Sequence, residues 1–251
     1  MKKIALLFAL AITVIACKND DDGVISPVNI EFSFSQNWDG TNVSAADFGS
    51  TIYTNEHGEE IYIARLRYLI SRLSLTDSNG FVTNIDGYNL IDLSDPTTFN
   101  FNPNVTIAPG AYTLSFIHGF NEVDNIDGEY PDLNAASWNW PAMLGGGYHF
   151  MQFDGTYDVN AVPKPFNYHN GTARVSDGVF EQNFVEVNLP AIITIQNDAD
   201  IEIEMNISEW FKNPYTWDLN LYDTPLMPNY DAQKLMQLNA STVYSLGTVT
   251  Q

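Results

Sequence analysis

Cysteine is almost absent from this 251-residue chain, which holds one, at position 17. A single thiol excludes any intramolecular disulfide. Basic residues are scarce as well: 10 Lys and Arg stand against 31 Asp and Glu, for a formal net charge of −21. Because an acidic surface repels phosphates and anionic lipid head groups, we expect no nucleic-acid partner.

The apolar run at the N-terminus is too short to cross a bilayer as a helix. Residues 4–16 are 13 uncharged residues that follow Lys2 and Lys3, which is the pattern of a signal peptide. The run ends in Val-Ile-Ala-Cys, which looks like a lipobox with Cys17 as the lipid acceptor. We therefore predict a lipoprotein signal peptide over residues 1–16 and a membrane anchor through lipid on Cys17.

The next segment, residues 17–26, is polar and acidic, and it predicts a flexible tether. It also resembles the acidic sorting signal of Bacteroidetes-type surface lipoproteins. We expect an outer-membrane, lipid-anchored protein on the cell surface or the periplasmic face, and the leaflet stays open. Residues 27–251 are then long enough for one β domain with a sizeable core.

Strand patterns dominate that domain. Apolar residues alternate with polar ones over residues 28–35 and 201–207, which we interpret as half-buried antiparallel strands. Asn-Gly and Asp-Gly pairs, including Asp154 with Gly155, predict tight turns between strands. We predict an all-β, antiparallel β-sandwich with one or two short helices, one capped by Ser208 and one near Asp231. Further strands are predicted over residues 61–75, 88–92, 112–118, 147–153, 184–188 and 192–195.

Catalytic motifs are missing from the sequence. It has no phosphate-binding glycine loop, no G-x-S-x-G and no H-E-x-x-H, so we expect no enzyme. A hydrolase that uses acidic residues stays open, because spacing in sequence does not fix the distance between carboxylates. Histidine is also scarce. Of four, we interpret His57 as solvated at a hairpin tip and His118 as a satisfied residue at a strand end, with a ligand role for His118 left open. His149 lies in a predicted strand and His169 between the Trp-rich segment and the next strands, and two histidines that adjacent strands bring together would make a minimal copper site.

Residues 137–155 form the most unusual segment. They hold Trp138, Trp140, two methionines (Met143 and Met151), three consecutive glycines and His149. Imidazole and thioether groups suit copper, and a tryptophan beside a redox metal is oxidisable. The alternative is a glycine-rich turn that enters a core strand, with the aromatic residues as packing.

The order of segments resembles the MbnP-like copper-binding family over roughly residues 28–247. The matching features are the Arg-Leu-Arg-Tyr-Leu-Ile-Ser strand at 65–71, the Tyr-Asn-Leu-Ile-Asp-Leu strand at 88–93, Pro109-Gly110-Ala111-Tyr112, the Gly-Phe-Asn run at Gly119, residues 138–155, His169-Asn170-Gly171, and residues 201–211.

The resemblance implies an exported, antiparallel β-sandwich that binds copper, with a di-haem cytochrome c peroxidase-like protein as partner. It implies His149 and His169 as metal ligands, and Trp138 or Trp140 as the residue that is oxidised to kynurenine or lines the site. Two positions depart from the family pattern: Gln36 and Gln237 stand where histidines are common.

A second interpretation is a glycan-binding surface lipoprotein of β-sandwich fold. Trp38, Trp217 and several tyrosines would stack on sugar rings if they were exposed, and Asn-rich loops would bond hydroxyl groups.

Overall fold

The structure is a computed structural model that describes residues 26–158 and 160–251. Strands are its main regular structure, and they fall into two large sheets and one small hairpin. In chain order the strands are β1 (Val28–Trp38), β2 (Thr41–Asn42), β3 (Tyr53–Thr54), β4 (Glu60–Asp77), β5 (Val82–Asn84), β6 (Tyr88–Asp92), β7 (Asn100–Ile107), β8 (Gly110–His118), β9 (Met151–Tyr157), β10 (Lys164–Asn170), β11 (Ala173–Ser176), β12 (Val179–Glu181), β13 (Val185–Ile195), β14 (Ala199–Asn206) and β15 (Tyr244–Thr250).

Helices are minor, as predicted. The α-helices of the described residues are α1 (Pro131–Ala135) and α2 (Tyr230–Asn239), and 3-10 turns span Ala45–Asp47, Pro96–Phe99, Ala142–Leu144, Ile207–Phe211 and Ala240–Thr242. Ser208 does not cap the turn that follows β14. That role belongs to Asn206, whose side chain accepts a hydrogen bond from the Ser208 amide, and α2 is capped in the same way by Asn229.

Two sheets face each other and share one apolar core, which confirms the β-sandwich. The first, a five-stranded sheet, runs β15-β14-β1-β2, with β7 also paired to β1. The second, an eight-stranded sheet, runs β10-β9-β4-β8-β13, and the short strands β3, β5 and β6 also pair with β4. The core between them takes Phe32 and Ile203 from the first sheet and Leu66, Phe153 and Tyr168 from the second.

The first sheet differs from the prediction in one respect, because it is not wholly antiparallel. β1 and β14 pair in parallel, with Phe32 opposite Ile201 and Phe34 opposite Ile203. Alternation of apolar and polar residues reports only that one face is buried; it does not report the direction of the neighbouring strand.

The outer face of the eight-stranded sheet carries a second, smaller core. Residues 120–150, here called the covering segment, lie over this face and bury Leu133, Trp138, Tyr148 and Phe150 against Leu69 of β4. Apolar residues therefore occupy both faces of β4 at this point, which explains the three consecutive apolar residues 68–70 in its sequence.

Two local predictions around β9 are wrong. The strand begins at Met151, so His149 lies just before it and not within it. Asp154 and Gly155 lie in mid-strand and form no turn. A Cβ atom on Gly155 would lie 2.2 Å from the Tyr62 carbonyl oxygen, so this glycine serves close strand packing.

Cys17, the predicted signal peptide and most of the predicted tether lie outside the described residues. Within the described part of the chain, the helices are too short or too polar to cross a lipid bilayer.

Candidate metal centre

The candidate site is built on three neighbouring strands of the outer face. Arg67 of β4 pairs with Gln152 of β9, which pairs with His169 of β10. Residues that are paired across strands point to the same face, so the three side chains form one row. Core residues Leu66, Phe153 and Tyr168 alternate with the row and point into the sandwich.

Asp154 orients His169. The carboxylate Oδ1 lies 2.7 Å from Nε2 of His169, and it also accepts a hydrogen bond of 2.6 Å from the Asn167 amide. The other oxygen accepts one of 2.6 Å from Nε of Arg65. A carboxylate on one imidazole nitrogen fixes the ring and leaves Nδ1 as the ligand atom, an arrangement common at metal sites.

His149 comes from the covering segment, at the end of a tight loop. Its amide donates a 2.9 Å hydrogen bond to the Trp138 carbonyl, and the Trp140 amide donates one of 2.9 Å to the Gly147 carbonyl. Glycines 145–147 all have positive φ, so they close this loop where other residues would be strained.

The two histidines meet. Their ring centroids are 5.3 Å apart at an interplanar angle of 82°, and both residues are buried. Nitrogen ligands bond at about 2.0 Å, so two imidazoles on one ion have centroids roughly 5–6 Å apart. Nδ1 of His149 is buried and has no hydrogen-bond partner. A buried polar atom without a partner requires an explanation, and a bound metal supplies one. The residues therefore fit a metal ion.

Both candidate tryptophans contact His149. The Trp138 ring lies 5.6 Å from its ring and the Trp140 ring 4.9 Å, and both indoles are fully buried. Nε1 of Trp140 donates to the Leu144 carbonyl at 3.1 Å, whereas Nε1 of Trp138 has no partner. The structure therefore brings together the four residues that were predicted to form the metal site: Trp138, Trp140, His149 and His169.

Burial and nearby charges keep the His149 imidazole neutral and the Asp154 carboxylate ionised. Burial, with the nearby His169 and Arg67, holds the pKa of His149 well below its usual value, so its imidazole is neutral at pH 7. Burial alone would raise the pKa of Asp154, but hydrogen bonds from His169 and Asn167 and the charge of Arg65 lower it to about 2. Neutral imidazole and ionised carboxylate are the forms that bind and support metals.

An apolar groove of about 450 Å³ borders the site. His169 lines it together with Met143, Leu144, Leu226 and Met227. Met143 is 78% exposed, whereas Met151, the other methionine of the segment, is buried in the sandwich core. Of the two methionines in residues 137–155, Met143 is thus the one that shares the groove with His169.

Sequence reasoning missed Asp154, Arg67 and Gln233. The Gln233 side chain, from α2, donates to the His169 carbonyl at 2.7 Å and accepts from the Gly171 amide at 3.2 Å, which fixes the end of β10. The i, i+2 spacing of Arg65 and Arg67, within one strand, was a signal for a shared polar face. No comparable signal marks Gln233.

The other two histidines lie elsewhere. His57 is not simply solvated: its Nδ1 lies 2.7 Å from a carboxylate oxygen of the buried Glu59. His118 is fully buried at the end of β8, with Nδ1 2.7 Å from the Tyr244 hydroxyl, but its Nε2 has no partner, so it is only half satisfied.

Gln36 and Gln237, the two positions where histidines are common in the family, form hydrogen bonds outside the candidate site. Gln36 donates to the Tyr68 hydroxyl at 2.8 Å, and Gln237 donates to the Phe184 carbonyl at 3.1 Å.

Fold and site together define a β-sandwich protein with a histidine–tryptophan pocket on the outer face of one sheet. The model of the MbnP family matches residues 27–229, and the chain belongs to that family. This membership suggests a copper-related protein. α2 and β15 lie beyond the match, yet β15 pairs with β14, and Gln233 of α2 donates a hydrogen bond to the His169 carbonyl of β10.

Among solved structures, MbnP from Methylosinus trichosporium is similar in fold, with a TM-score of 0.50 at 14% sequence identity. The match covers 88% of this chain and 98% of that one. No curated protein matches the chain by sequence.

Proposed function

We propose that this protein is an exported, lipid-anchored copper-binding protein without catalytic turnover of its own, and that His149 and His169 hold the metal. One observation carries the proposal. A buried imidazole with an unpartnered nitrogen lies 5.3 Å, ring to ring, from a second imidazole that a carboxylate orients. Family membership supports copper as the metal.

The ligand set also favours copper on chemical grounds. The candidate ligands are two imidazoles with thioethers nearby, and Asp154 is the carboxylate that contacts them. This set suits a soft or borderline ion better than Ca²⁺ or Mg²⁺, which require several oxygen ligands. Asp154 is already engaged by three donors, so its role is to orient His169.

Titration of the mature protein with Cu(I) and Cu(II), against chelators of known affinity, tests the proposal. Wild type should bind one copper at this site, and His149→Ala and His169→Ala should each lose it. His57→Ala separates this site from the group of His57, Glu59 and Asp218, which could hold an ion of its own, and it should leave the copper at the proposed site bound. Unchanged stoichiometry in both site variants would remove the assignment.

Lipidation and the peroxidase-like partner belong to the same proposal. Incorporation of labelled palmitate should disappear in Cys17→Ser. If a di-haem cytochrome c peroxidase-like protein acts on Trp138 or Trp140, protein produced together with that partner should carry kynurenine at one of the two positions. Intact mass followed by peptide mass spectrometry locates the change, and an unmodified chain under those conditions contradicts this part of the proposal.

The two tryptophans named for the glycan-binding alternative are not available for stacking on sugar rings. Trp38 is 7% exposed and Trp217 is fully buried, so neither offers a face to a sugar ring. Trp217 instead packs on Tyr168 at 4.5 Å and donates its indole N–H to the Tyr222 carbonyl.

A further inference from the structure

His57, Glu59 and Asp218 form a second group of candidate metal ligands, which shares no residue with the copper site proposed above. Each offers one ligand atom, and the three atoms lie within 4.8 Å of one another. His57 and Glu59 lie in the turn between β3 and β4, whereas Asp218 lies between the 3-10 turn Ile207–Phe211 and α2. The fold therefore brings together ligands from distant parts of the chain.

Glu59 is a buried carboxylate whose amide donors carry no charge. Its side chain is only 4% exposed. One oxygen accepts a 2.7 Å hydrogen bond from the side-chain amide of Asn55, and the other accepts one of 3.0 Å from that of Asn220. The Lys and Arg ion pairs of the described residues involve other carboxylates. Because a buried charge in a protein is paired or bound to a metal, Glu59 requires a cation, and His57 is the contacting residue that can provide or hold one.

The His57 ring lies between the two carboxylates. Its Nδ1 lies 2.7 Å from Oε1 of Glu59, and its Nε2 lies 3.7 Å from Oδ2 of Asp218. The second distance is too long for a hydrogen bond. Ligand atoms about 2.0–2.2 Å from a tetrahedral ion are roughly 3.3–3.6 Å apart, so the gap between Nε2 and Oδ2 is close to the width that a bound ion needs. The contact of Glu59 with Nδ1 repeats the arrangement of Asp154 and His169, in which a carboxylate fixes the imidazole and leaves its other nitrogen as the ligand atom.

We propose that His57 and Asp218 bind a divalent cation of the Zn²⁺ class, and that Glu59 orients His57 and balances the charge. Imidazole and carboxylate ligands suit a borderline ion such as Zn²⁺, whereas Ca²⁺ and Mg²⁺ take oxygen ligands. The side chains of His57 and Asp218 are 42% and 36% exposed, so an ion reaches them from solvent and water takes the remaining coordination positions. The proposal does not depend on copper binding at the other site.

A bound ion joins two separate segments, the turn before β4 and the stretch of residues 212–229. The same stretch supplies Leu226 and Met227 to the groove beside His169. An ion that binds the folded arrangement and not the unfolded chain stabilises the fold. We therefore expect Zn²⁺ to raise the Tm of the protein.

Zn²⁺ titration of His149→Ala, in competition with a chromophoric chelator, tests the proposal, because this variant lacks one ligand of the copper site. We expect one bound Zn²⁺ and a rise in Tm. Adding His57→Ala or Asp218→Asn should lower the Zn²⁺ affinity at least about 100-fold and abolish the rise, and adding Glu59→Gln should lower the affinity about 10- to 100-fold. Ca²⁺ at the same concentration should produce no rise in Tm, and a site that prefers Ca²⁺ overturns the role of the imidazole.

Glu56→Gln is the matched control, because Glu56 is exposed in the same turn, lies outside the ligand group and loses the same charge as Asp218→Asn. It should bind Zn²⁺ as its parent variant does, and an equal fall in affinity there would show that surface charge alone matters. Absence of bound Zn²⁺ in His149→Ala overturns the inference, and so does an unchanged affinity in both His57→Ala and Asp218→Asn. These two residues are partly exposed, so their variants decide the question even if Glu59→Gln fails to fold. Loss of copper binding at His149 and His169 contradicts the proposed function and leaves this site standing.

Discussion

Replacing Asp154 by asparagine removes the charge that joins Arg65, Asn167 and His169 while keeping the size of the side chain. The Asp154 carboxyl has a pKa of about 2 in the folded protein, against an ordinary value of 3.8. Each pKa unit equals about 1.4 kcal/mol, so ionised Asp154 contributes about 2 kcal/mol to the free energy of unfolding at neutral pH. Its side chain is only 15% exposed, so solvent screening is limited.

The sign of the pH dependence follows from the lowered pKa. The unfolded chain binds the proton first as pH falls, so the stabilisation is complete above pH 4 and is lost as pH drops toward 2. Asp154→Asn should therefore be about 2 kcal/mol less stable than wild type at pH 7, and the difference should shrink between pH 4 and pH 2. It should also weaken copper affinity about 10- to 100-fold, because His169 loses its orienting partner.

Urea unfolding followed by tryptophan fluorescence, at a series of pH values, measures the first effect. Asp177→Asn is the control, since Asp177 is 96% exposed and pairs with Arg174 at the surface; we expect no measurable change there. A wild-type-like stability of Asp154→Asn at pH 7, or a loss that stays constant down to pH 2, would refute the reasoning.

Three further outcomes can be checked on the same protein. Gly171→Ala should cost about 2 kcal/mol and shift Trp140 fluorescence, because the added Cβ would lie 2.6 Å from the Trp140 ring. Gln233→Ala should cost about 3 kcal/mol in urea unfolding and weaken copper binding, because it leaves the His169 carbonyl without its 2.7 Å hydrogen bond. Burial lowers the pKa of His118 to about 4, so this residue alone should contribute a loss of about 3 kcal/mol between pH 6.5 and pH 4, because the unfolded chain takes up a proton that the folded chain does not; His149, whose pKa burial also lowers, adds to that loss. His118→Gln should flatten that part of the stability curve, and an unchanged slope would contradict the assignment.

The fold class could be predicted because burial of one face of a strand makes apolar and polar residues alternate in the sequence. β6 has the predicted bounds, Tyr88–Asp92, and the long strand β4 extends the predicted one by only a few residues. Predictions failed where a local sequence pattern is compatible with more than one structure. Asp154 and Gly155 have the composition of a turn, but here the glycine allows Tyr62 to approach from the next strand. Strand direction, as in the parallel β1 and β14 pair, leaves no local trace at all.

The candidate site was only half predictable. His149, His169 and the two tryptophans stood out through rarity and through family resemblance, and they do lie together. Asp154 did not, because acidic residues are common in this chain and its partnership with His169 depends on the register of β9 against β10. Register is set by the whole sheet and not by a local pattern.

The pocket lies on the far side of the eight-stranded sheet from the sandwich interior, and this separation has an evolutionary consequence. Side chains at positions 67, 152, 154 and 169 can be exchanged without altering the hydrophobic layer that makes the domain fold, because that layer is formed by their neighbours in each strand. Substitutions at these positions can therefore change which ion is bound, or abolish ion binding, while the sandwich core is retained.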